Sequence, residues 1–243
     1  MTKLETNWYA SWFDTDFYHI LYRDRGYQEA QDFMQNLVDF LQLEKKAKLL
    51  DLACGKGRHS IYLHKLGYNV TGVDLSKNSI AEAKTHEKQG LDFQVHDMCK
   101  PLPEKFDAVF NLFTSFGYFE KEESNLNTIK AIKQELKPNG FGVIDFMNVE
   151  KVITNLVPEE TKSVKGIDFN ISRWVENGFI FKRIQFEAEG DQHDYIERVK
   201  ALRLEDFKDY FKKAGINLKH TLGDYDLHEF DEKKSDRLIL IFQ

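Results

Sequence analysis

Apolar residues along the chain change their spacing twice, and these changes divide the sequence into regions of different predicted structure. Before residue 48, Phe33, Leu37 and Leu41 recur at helical spacing, which predicts an amphipathic helix. Short apolar runs then alternate with helical stretches over residues 48–147. Residues 160–203 follow as longer strand-like segments separated by polar turns.

The alternating region predicts a sheet covered by helices. Its strands are placed at residues 48–53, 68–74, 91–95, 106–112 and 141–147. A helix over residues 122–137 is predicted to end at Pro138-Asn139-Gly140, because this sequence terminates helices. Strand alternating with helix is typical of a doubly wound, mostly parallel α/β sheet, in which ligands lie at the carboxyl ends of the strands.

The region after the fifth strand predicts an antiparallel β insert at residues 160–203. Its strands are placed at residues 166–175, 179–188 and 195–202. The pair Asn177-Gly178 between the first two strands is a strong hairpin signal. Two interpretations of the insert stay open: a cap over a pocket, or a contact surface for a homodimer. The remaining elements are a helix at residues 204–214 and strands at 216–222 and 237–242.

Composition narrows the class of protein. The 243 residues are 42% hydrophobic and 30% charged, with a formal net charge of −6, which suits one globular domain over residues 1–243. The acidic balance disfavours nucleic acid as a partner. No apolar run approaches the ~20 residues of a membrane span, and the first residues lack a signal peptide's apolar stretch. With two cysteines and no metal-binding pattern, we expect a reduced, cytoplasmic protein without a metal.

The loop after the first strand has the composition of a ligand-binding turn. Gly55 and Gly57 allow a sharp turn and close approach of a ligand to the backbone, and the helix that follows offers free amide donors. Asp74 ends the second strand, where a carboxylate can accept hydrogen bonds from ribose hydroxyls. The alternatives are an ordinary tight turn for the glycines and a helix cap for Asp74.

A second acidic position follows the third strand. Asp97 and Met98 fit a ligand whose adenine lies beyond the ribose, with a capping loop aspartate as the alternative. Ser60 stands where a dinucleotide-binding pattern has its third glycine, which disfavours a nicotinamide-dependent oxidoreductase.

The ordered motifs resemble those of the class I S-adenosylmethionine-dependent methyltransferases. They are Leu49-Leu-Asp-Leu-Ala-Cys-Gly-Lys-Gly57, Val73-Asp74-Leu-Ser, His96-Asp97-Met, Phe106-Asp-Ala-Val-Phe-Asn111 and Leu136-Lys-Pro-Asn-Gly140. The resemblance covers roughly residues 30–148 and extends to 215–243. It implies a seven-stranded sheet whose last strand is antiparallel. Ala53 departs from the family pattern, in which many members have a glycine.

The resemblance also implies which residues hold the cofactor, S-adenosylmethionine, and its product S-adenosylhomocysteine. The backbone at Ala53, Gly55 and Gly57 would lie near the methionine part. Asp74 would hold the ribose, and Leu75 would pack on the adenine.

Four further residues complete the implied cofactor site. Asp97 and Met98 would meet the adenine edge. Asn111 and Phe113 would line the methionine side and face the acceptor. The catalytic residue is left unassigned, because methyl transfer from a sulfonium needs a base only if the acceptor must lose a proton.

Other residues near these motifs receive supporting roles. Asp51 is expected to support the loop from behind, and Cys54 to be a packing residue. Arg58 and His59 are expected to face solvent on the helix.

Aromatic residues supply the candidates for the rest of the pocket. Residues 1–30 form an aromatic segment predicted to fold over the cofactor, with Tyr18 in contact with it. The alternative is a helix that packs its aromatic stripe on the core. Tyr118 and Trp174 are the candidates for binding an acceptor, which is expected to be a small molecule methylated on N or O. A cofactor-binding subunit without turnover remains the alternative function.

Overall fold

The computed structural model describes residues 12–23 and 26–243, so predictions for residues 1–11 and 24–25 lie outside the described residues. The strands are β1 (Lys48–Leu52), β2 (Asn69–Asp74), β3 (Leu91–Val95), β4 (Phe106–Asn111), β5 (Leu136–Met147), β6 (Glu159–Val164), β7 (Ile167–Glu176), β8 (Phe179–Ala188), β9 (Asp191–Lys200), β10 (Leu218–Leu222) and β11 (Arg237–Phe242). The helices are α1 (Asp16–Leu21), α2 (Tyr27–Phe40), α3 (Arg58–Lys65), α4 (Lys77–Lys84), α5 (Glu122–Glu135), α6 (Val149–Thr154) and α7 (Leu204–Ala214).

Seven strands form one mixed sheet in the order β10-β11-β5-β4-β1-β2-β3. The neighbours from β3 to β5 are parallel, whereas β11 runs antiparallel to β5, with Ile239 opposite Asp145. This topology confirms the predicted doubly wound α/β sheet with an antiparallel last strand.

Helices bury both faces of this sheet. On one face, α2 and α3 contribute Phe33, Leu37 and Leu63 to a core that contains Leu49 and Phe110. On the other face, residues of α5 and α7 pack against apolar residues of β1, β4, β5 and β11. The carboxyl ends of β1, β2 and β4 therefore open at one edge of the sheet, between the helices.

The insert is a four-stranded antiparallel sheet in the order β6-β7-β8-β9. The prediction of an antiparallel insert is confirmed, but β6 was absent from it. Five of the six residues of β6 are exposed and polar, so β6 lacks the alternation of a half-buried strand. It is held through backbone pairing along the edge of β7.

Several boundaries differ from the sequence prediction: the strand predicted at 195–202 is Asp191–Lys200, and the strand predicted at 216–222 is Leu218–Leu222. The helix predicted to reach residue 137 ends at Glu135, and β5 begins at Leu136, which pairs with Phe106 before the register shifts. Asn139 adopts a φ of 64° inside this irregular start of β5. The short helix α6 was also not predicted, because six residues are too few for a visible apolar period.

The N-terminal segment, defined here as residues 12–23, packs on the insert. Trp12 and Leu21 are each 1% exposed and belong to a cluster with Phe169, Ile184 and Phe186 of the insert. Within the described residues, no helix has the length and apolar character needed to cross a membrane.

Candidate active site

The loop that follows β1 is bound directly to the end of β2. The Cys54 amide donates to the Val73 carbonyl at 2.9 Å, and the Gly55 amide donates to Asp74 Oδ2 at 2.9 Å. The second oxygen of the carboxylate, Oδ1, accepts the Ser76 amide at 2.8 Å. Asp74 thus fixes the loop, while its carboxylate oxygens keep lone pairs for further donors.

The cap of α4 is Ser76 and not Asp74. The Ser76 hydroxyl accepts the Ser79 amide at 2.9 Å, which is the hydrogen bond expected of a helix cap. Burial raises the pKa of Asp74, and the amides of Ser76 and Gly55 oppose that shift. Leu75, between the two, is 48% exposed, so an apolar surface lies beside the carboxylate.

The two glycines of the loop have different surroundings. At Gly55, with φ 55°, a Cβ atom would meet nothing within 4 Å, so open space lies against its backbone. At Gly57, with φ 78°, a Cβ atom would stand 2.5 Å from Phe93 Cε1. Gly55 can therefore face a ligand, whereas Gly57 is needed for packing of α3 on β3.

The backbone conformation of Ala53 shows why many members of the family that the chain resembles have a glycine at this position. Its φ is 60°, in the left-handed region that glycine adopts without steric cost. Alanine keeps the same turn, so the departure from the family pattern leaves the loop geometry in place.

Asp97 closes the turn after β3. Its Oδ1 accepts the Cys99 amide at 3.0 Å, and its Oδ2 lies 3.7 Å from Lys100 Nζ. The capping role is therefore observed, and contact with an adenine stays a prediction for the same side chain. Met98 packs towards Asn111, whose Nδ2 is 3.9 Å from the thioether sulfur.

Asn111, at the end of β4, is fully buried beside the glycine loop. Its Nδ2 donates to the Leu52 carbonyl at 3.1 Å, but its Oδ1 has no hydrogen-bond partner among the described residues. A buried acceptor without a donor is costly unless a ligand supplies one. This oxygen therefore fits a cofactor that carries a donor group, such as the ammonium of a methionine moiety.

The residues after β4 bring Phe113 against the first turn of α3. The Phe113 ring lies 4.3 Å from the His59 ring, centroid to centroid. Arg58 and His59 were predicted to face solvent but are half-buried, because Phe113 packs on the imidazole and Arg58 Nη2 contacts His59 Nε2 at 2.9 Å. Burial, with a smaller effect of Arg58, lowers the pKa of His59 to about 3, so this imidazole is neutral at pH 7.

Two polar groups under the loop have supporting roles. Ser60 Oγ donates to Asp51 Oδ2 at 2.6 Å, and Asp51 is 2% exposed. Burial raises the pKa of Asp51 to about 7. Burial also raises the pKa of the Cys54 thiol, which makes it a poor nucleophile.

The N-terminal segment is bound both to the start of α4 and to the insert. Asp14 accepts from Ser76 Oγ and Asn78 Nδ2, each at 2.5 Å, at the start of α4. At the insert, Glu197 Oε1 accepts from Trp12 Nε1 at 2.8 Å and from Tyr22 Oη at 2.6 Å. The segment therefore connects the insert to the end of β2.

Tyr18 and Tyr118 lie on either side of one aromatic ring. Phe13 is 4.8 Å from Tyr18 and 5.4 Å from Tyr118, measured between ring centroids. The Tyr118 hydroxyl donates to the Thr114 carbonyl at 2.6 Å. The structure thus brings the predicted Tyr18 and Tyr118 together with the loop after β4.

Trp174 lies on a different surface. It stacks on Phe181 at 5.0 Å. Neighbouring residues of a strand point to opposite faces, and Lys182 beside Phe181 contacts Tyr22 of the N-terminal segment. Trp174 is therefore on the face of the insert that points away from this segment.

Several residues of the site were not found from the sequence. Asp14, Glu197, Asp145 and Arg237 all bind its loops or its N-terminal segment. A visible signal existed for two of them, since Asp145 and Arg237 are charges within or at the start of apolar strands. Asp145 is 0% exposed, and such a buried charge requires a partner.

The strand order, the glycine loop and the acidic ends of β2 and β3 define a Rossmann-like protein built to bind an adenosine-containing cofactor. Residues 49–140 match the family model described as a methyltransferase domain. The Bacillus subtilis protein YqeM, whose name assigns it to the methyltransferases, is 29% identical over 75% of this chain and 78% of its own length.

Solved structures share the fold over almost the whole chain. An S-adenosylmethionine-dependent methyltransferase from Clostridium acetobutylicum has a TM-score of 0.79 at 21% identity, covering 93% of this chain and 96% of its own. CalS10, an amino pentose methyltransferase of Micromonospora echinaspora solved with S-adenosylmethionine bound, has a TM-score of 0.71 at 19% identity, covering 94% and 96%. Residues 49–140 thus form a methyltransferase domain, and the chain as a whole has the fold of S-adenosylmethionine-dependent methyltransferases.

Proposed function

We propose that the protein transfers a methyl group from S-adenosylmethionine to a nitrogen or oxygen atom of a small-molecule acceptor by direct displacement. The observation that carries this proposal is the position of the N-terminal segment: Asp14 binds the start of α4 beside the cofactor loop, while Trp12 and Tyr22 bind Glu197 of the insert. A site covered by such a segment suits a small acceptor better than a polymer. This arrangement also supports the interpretation of the insert as a cap.

The residues that would hold the cofactor follow the geometry of the loop. The backbone at Ala53 and Gly55 would lie along the methionine part, where Asn111 Oδ1 offers a buried acceptor. Asp74 would hold the ribose hydroxyls, with the exposed Leu75 against the adenine.

Other residues would contact the two ends of the cofactor and the acceptor. Asp97 and Met98 would meet the adenine edge, while Phe113 and Tyr18 would close the methionine side. Tyr118 would contact the acceptor beside them. Trp174 has no part in this arrangement, because it lies on the opposite face of the insert.

When bound, the cofactor supplies a methyl group activated on a sulfonium. The protein's residues then need to align the acceptor lone pair with that methyl group and exclude water, and alignment alone can contribute ~7–11 kcal/mol. The aromatic faces of Tyr18, Phe113 and Tyr118 suit a positively charged sulfonium or ammonium group.

A nitrogen acceptor places the smaller demand on the residues of the site. An alcohol needs a general base with a pKa near the working pH, whereas a neutral amine attacks through its lone pair. The pKa of His59 is lowered to about 3, and Asp51 is buried under the loop and bound to Ser60, so neither of these described residues suits that role. A dTDP-amino-sugar N,N-dimethyltransferase of Streptomyces venezuelae, 27% identical over 54% of this chain, is consistent with an amine.

The decisive experiment is a product assay. The protein is incubated with a pool of cell metabolites and S-adenosylmethionine labelled with carbon-13 on its methyl group, and products are identified by mass spectrometry. The chemical shift of the labelled methyl group separates N-methyl from O-methyl products. Label found only in protein or RNA would contradict a small-molecule acceptor, and the absence of any labelled product would favour a subunit without turnover.

The assignment of Asp74 is tested by binding. We expect Asp74→Ala to weaken S-adenosylhomocysteine by at least about tenfold in isothermal titration calorimetry, because hydrogen bonds to a charged group contribute about 1.5–3 kcal/mol. Asp92→Ala, at an exposed position of β3, is the matched control and should bind normally. Equal affinity of the Asp74 variant and the control would remove the ribose assignment.

A further inference from the structure

The loop after β4 contains two adjacent residues in an unfavourable backbone conformation. Phe113 has a φ of 58° and Thr114 a φ of 62°, and neither is glycine. Left-handed backbone is sterically unfavourable for L-residues, and most of all for a β-branched residue such as threonine. The surrounding structure must therefore hold this pair in place.

The groups that hold the loop come from two distant strands. Asp145 of β5 accepts the Phe113 amide on its Oδ2 at 2.7 Å and the Thr114 amide on its backbone carbonyl at 3.1 Å. Arg237 of β11 donates from Nε to Asp145 Oδ1 at 2.8 Å and from Nη2 to Thr114 Oγ1 at 2.8 Å. Three hydrogen bonds thus connect Asp145 and Arg237 to the two strained residues, and a fourth joins the ion pair itself.

The ion pair is shielded from solvent. The Asp145 side chain is 0% exposed and that of Arg237 is 19% exposed. Tyr225 covers the pair, with its hydroxyl 3.4 Å from Asp145 Oδ2 and its ring 5.4 Å from the guanidinium carbon. In such surroundings hydrogen bonds to charged groups are strong and are not replaced by water, which allows this pair to impose a backbone conformation.

The imposed conformation decides where the Phe113 ring points. The ring packs on His59 at 4.3 Å, and Phe33 and Tyr225 lie at 5.9 and 5.8 Å on its other sides. His59 directly follows the glycine loop in α3. A return of residues 113 and 114 to an ordinary backbone would move the ring away from that loop.

We propose that the buried Asp145–Arg237 ion pair is a positioning device that holds Phe113 and Thr114 in the left-handed conformation and thereby fixes the wall between the cofactor and the acceptor. The inference rests on the proposed function, because it assumes that Phe113 lines the methionine side. Asp145 and Arg237 are positioning residues, since they act through the loop.

The test is a double-mutant cycle read out by S-adenosylhomocysteine binding in calorimetry. Asp145→Asn loses the charge that binds Arg237, and we expect it to weaken binding by about tenfold. Thr114→Gly removes the steric cost of the left-handed backbone at that position. In the Thr114→Gly background, Asp145→Asn should therefore weaken binding by less than about threefold.

The controls separate positioning from loss of folding. Circular dichroism and urea unfolding verify that each variant is folded at the assay temperature. Glu135→Gln changes another buried acid, which accepts the Leu102 amide near the amino end of β4, at the other end of that strand from residues 113 and 114, and should leave binding unchanged. If Asp145→Asn does not fold, Thr114→Val takes its place: it replaces the hydroxyl that binds Arg237 with a methyl group and should weaken binding by severalfold.

Two results would overturn the inference: normal binding by folded Asp145→Asn, or an equal loss in both backgrounds. The binding assay needs no acceptor, so its outcome is separate from that of the product assay. A small-molecule product with an unchanged Asp145→Asn affinity would leave the proposed function standing and remove the positioning role.

Discussion

Ala53 occupies a backbone conformation that suits glycine. Its φ of 60° places it in the left-handed region, at a steric cost of about 1–2 kcal/mol for an L-residue. Glycine would remove that cost but lose about 0.5–1 kcal/mol more conformational entropy on folding. We expect Ala53→Gly to raise the free energy of unfolding by about 0.5–1 kcal/mol, measured by urea denaturation.

The same substitution at a helical position should change the free energy of unfolding in the opposite direction. Ala81 is exposed on α4, where the backbone is helical, and Ala81→Gly should lower the free energy of unfolding by about 1 kcal/mol. A loss of stability in both variants would show that the left-handed backbone at Ala53 carries no strain.

The glycines show how far a single residue can be interpreted from sequence. A glycine in a turn after a strand indicates that a ligand can approach the backbone there. Gly55 has the open space that such a ligand needs. The role of Gly57 depends on Phe93, which reaches it across the sheet. Local sequence does not contain that contact, because it arises only when α3 packs on β3.

At the scale of elements, the N-terminal segment depends on one acidic side chain of the insert. Glu197 accepts two hydrogen bonds, from Trp12 and Tyr22, and Lys182 donates to the same Tyr22 hydroxyl. We expect Glu197→Ala to release the segment, since both donors lose their partner, and to lower the free energy of unfolding by about 1–3 kcal/mol. Amide hydrogen exchange over residues 16–22 should become faster.

The control for this prediction lies on the same strand. Asp194 pairs with Arg183 on the opposite face of β9, so Asp194→Ala should leave exchange of residues 16–22 unchanged. Equal protection of these residues in both variants would mean that apolar packing alone holds the segment.

Element prediction succeeded where burial produces a pattern and failed where it does not. The central strands are apolar runs, and β8 was placed with its observed bounds because it alternates buried and exposed residues. The polar strand β6 and the short α6 carry no such pattern. Their structure is set by the neighbour they pair with or pack against, which sequence does not display.

For the whole molecule, buried acids make stability depend on pH. Burial raises the pKa of Asp51 from 3.8 to about 7 and that of Glu135 from 4.5 to about 7. Between these values the folded state retains protons that the unfolded state releases, so both groups lower the free energy of unfolding as pH rises through this range. Asp51→Asn should therefore gain stability relative to the wild type as pH rises from about 4 to 7.

Urea denaturation at a series of pH values measures this difference. Asp92→Asn makes the same chemical change at an exposed position of β3 and serves as the comparison. A difference between Asp51→Asn and wild type that stays constant across the range would contradict a raised pKa at Asp51. The lowered pKa of His59 makes the free energy of unfolding rise with pH. Because His59 is present in both proteins, its effect cancels when Asp51→Asn is compared with the wild type.

The architecture was predictable from the sequence to a greater extent than the site. Strand alternating with helix gave the doubly wound sheet, and the resemblance of the motifs supplied the antiparallel last strand. The candidates Gly55, Asp74 and Asn111 lie together at the strand ends because parallel strands end at one edge. Asp145 and Arg237 meet through a register between strands that are far apart in the chain, and no local pattern predicts that register.

The position of β11 has a consequence for the order in which the protein is made. A nascent chain that has reached residue 236 already contains the glycine loop, the insert and the loop of Phe113, yet it lacks the strand between β10 and β5. Until residues 237–242 emerge from the ribosome, β5 presents an unpaired apolar edge and Asp145 has no arginine partner. Competence for the cofactor is therefore expected to arise only after residues 237–242 have paired with β5 and Arg237 has met Asp145.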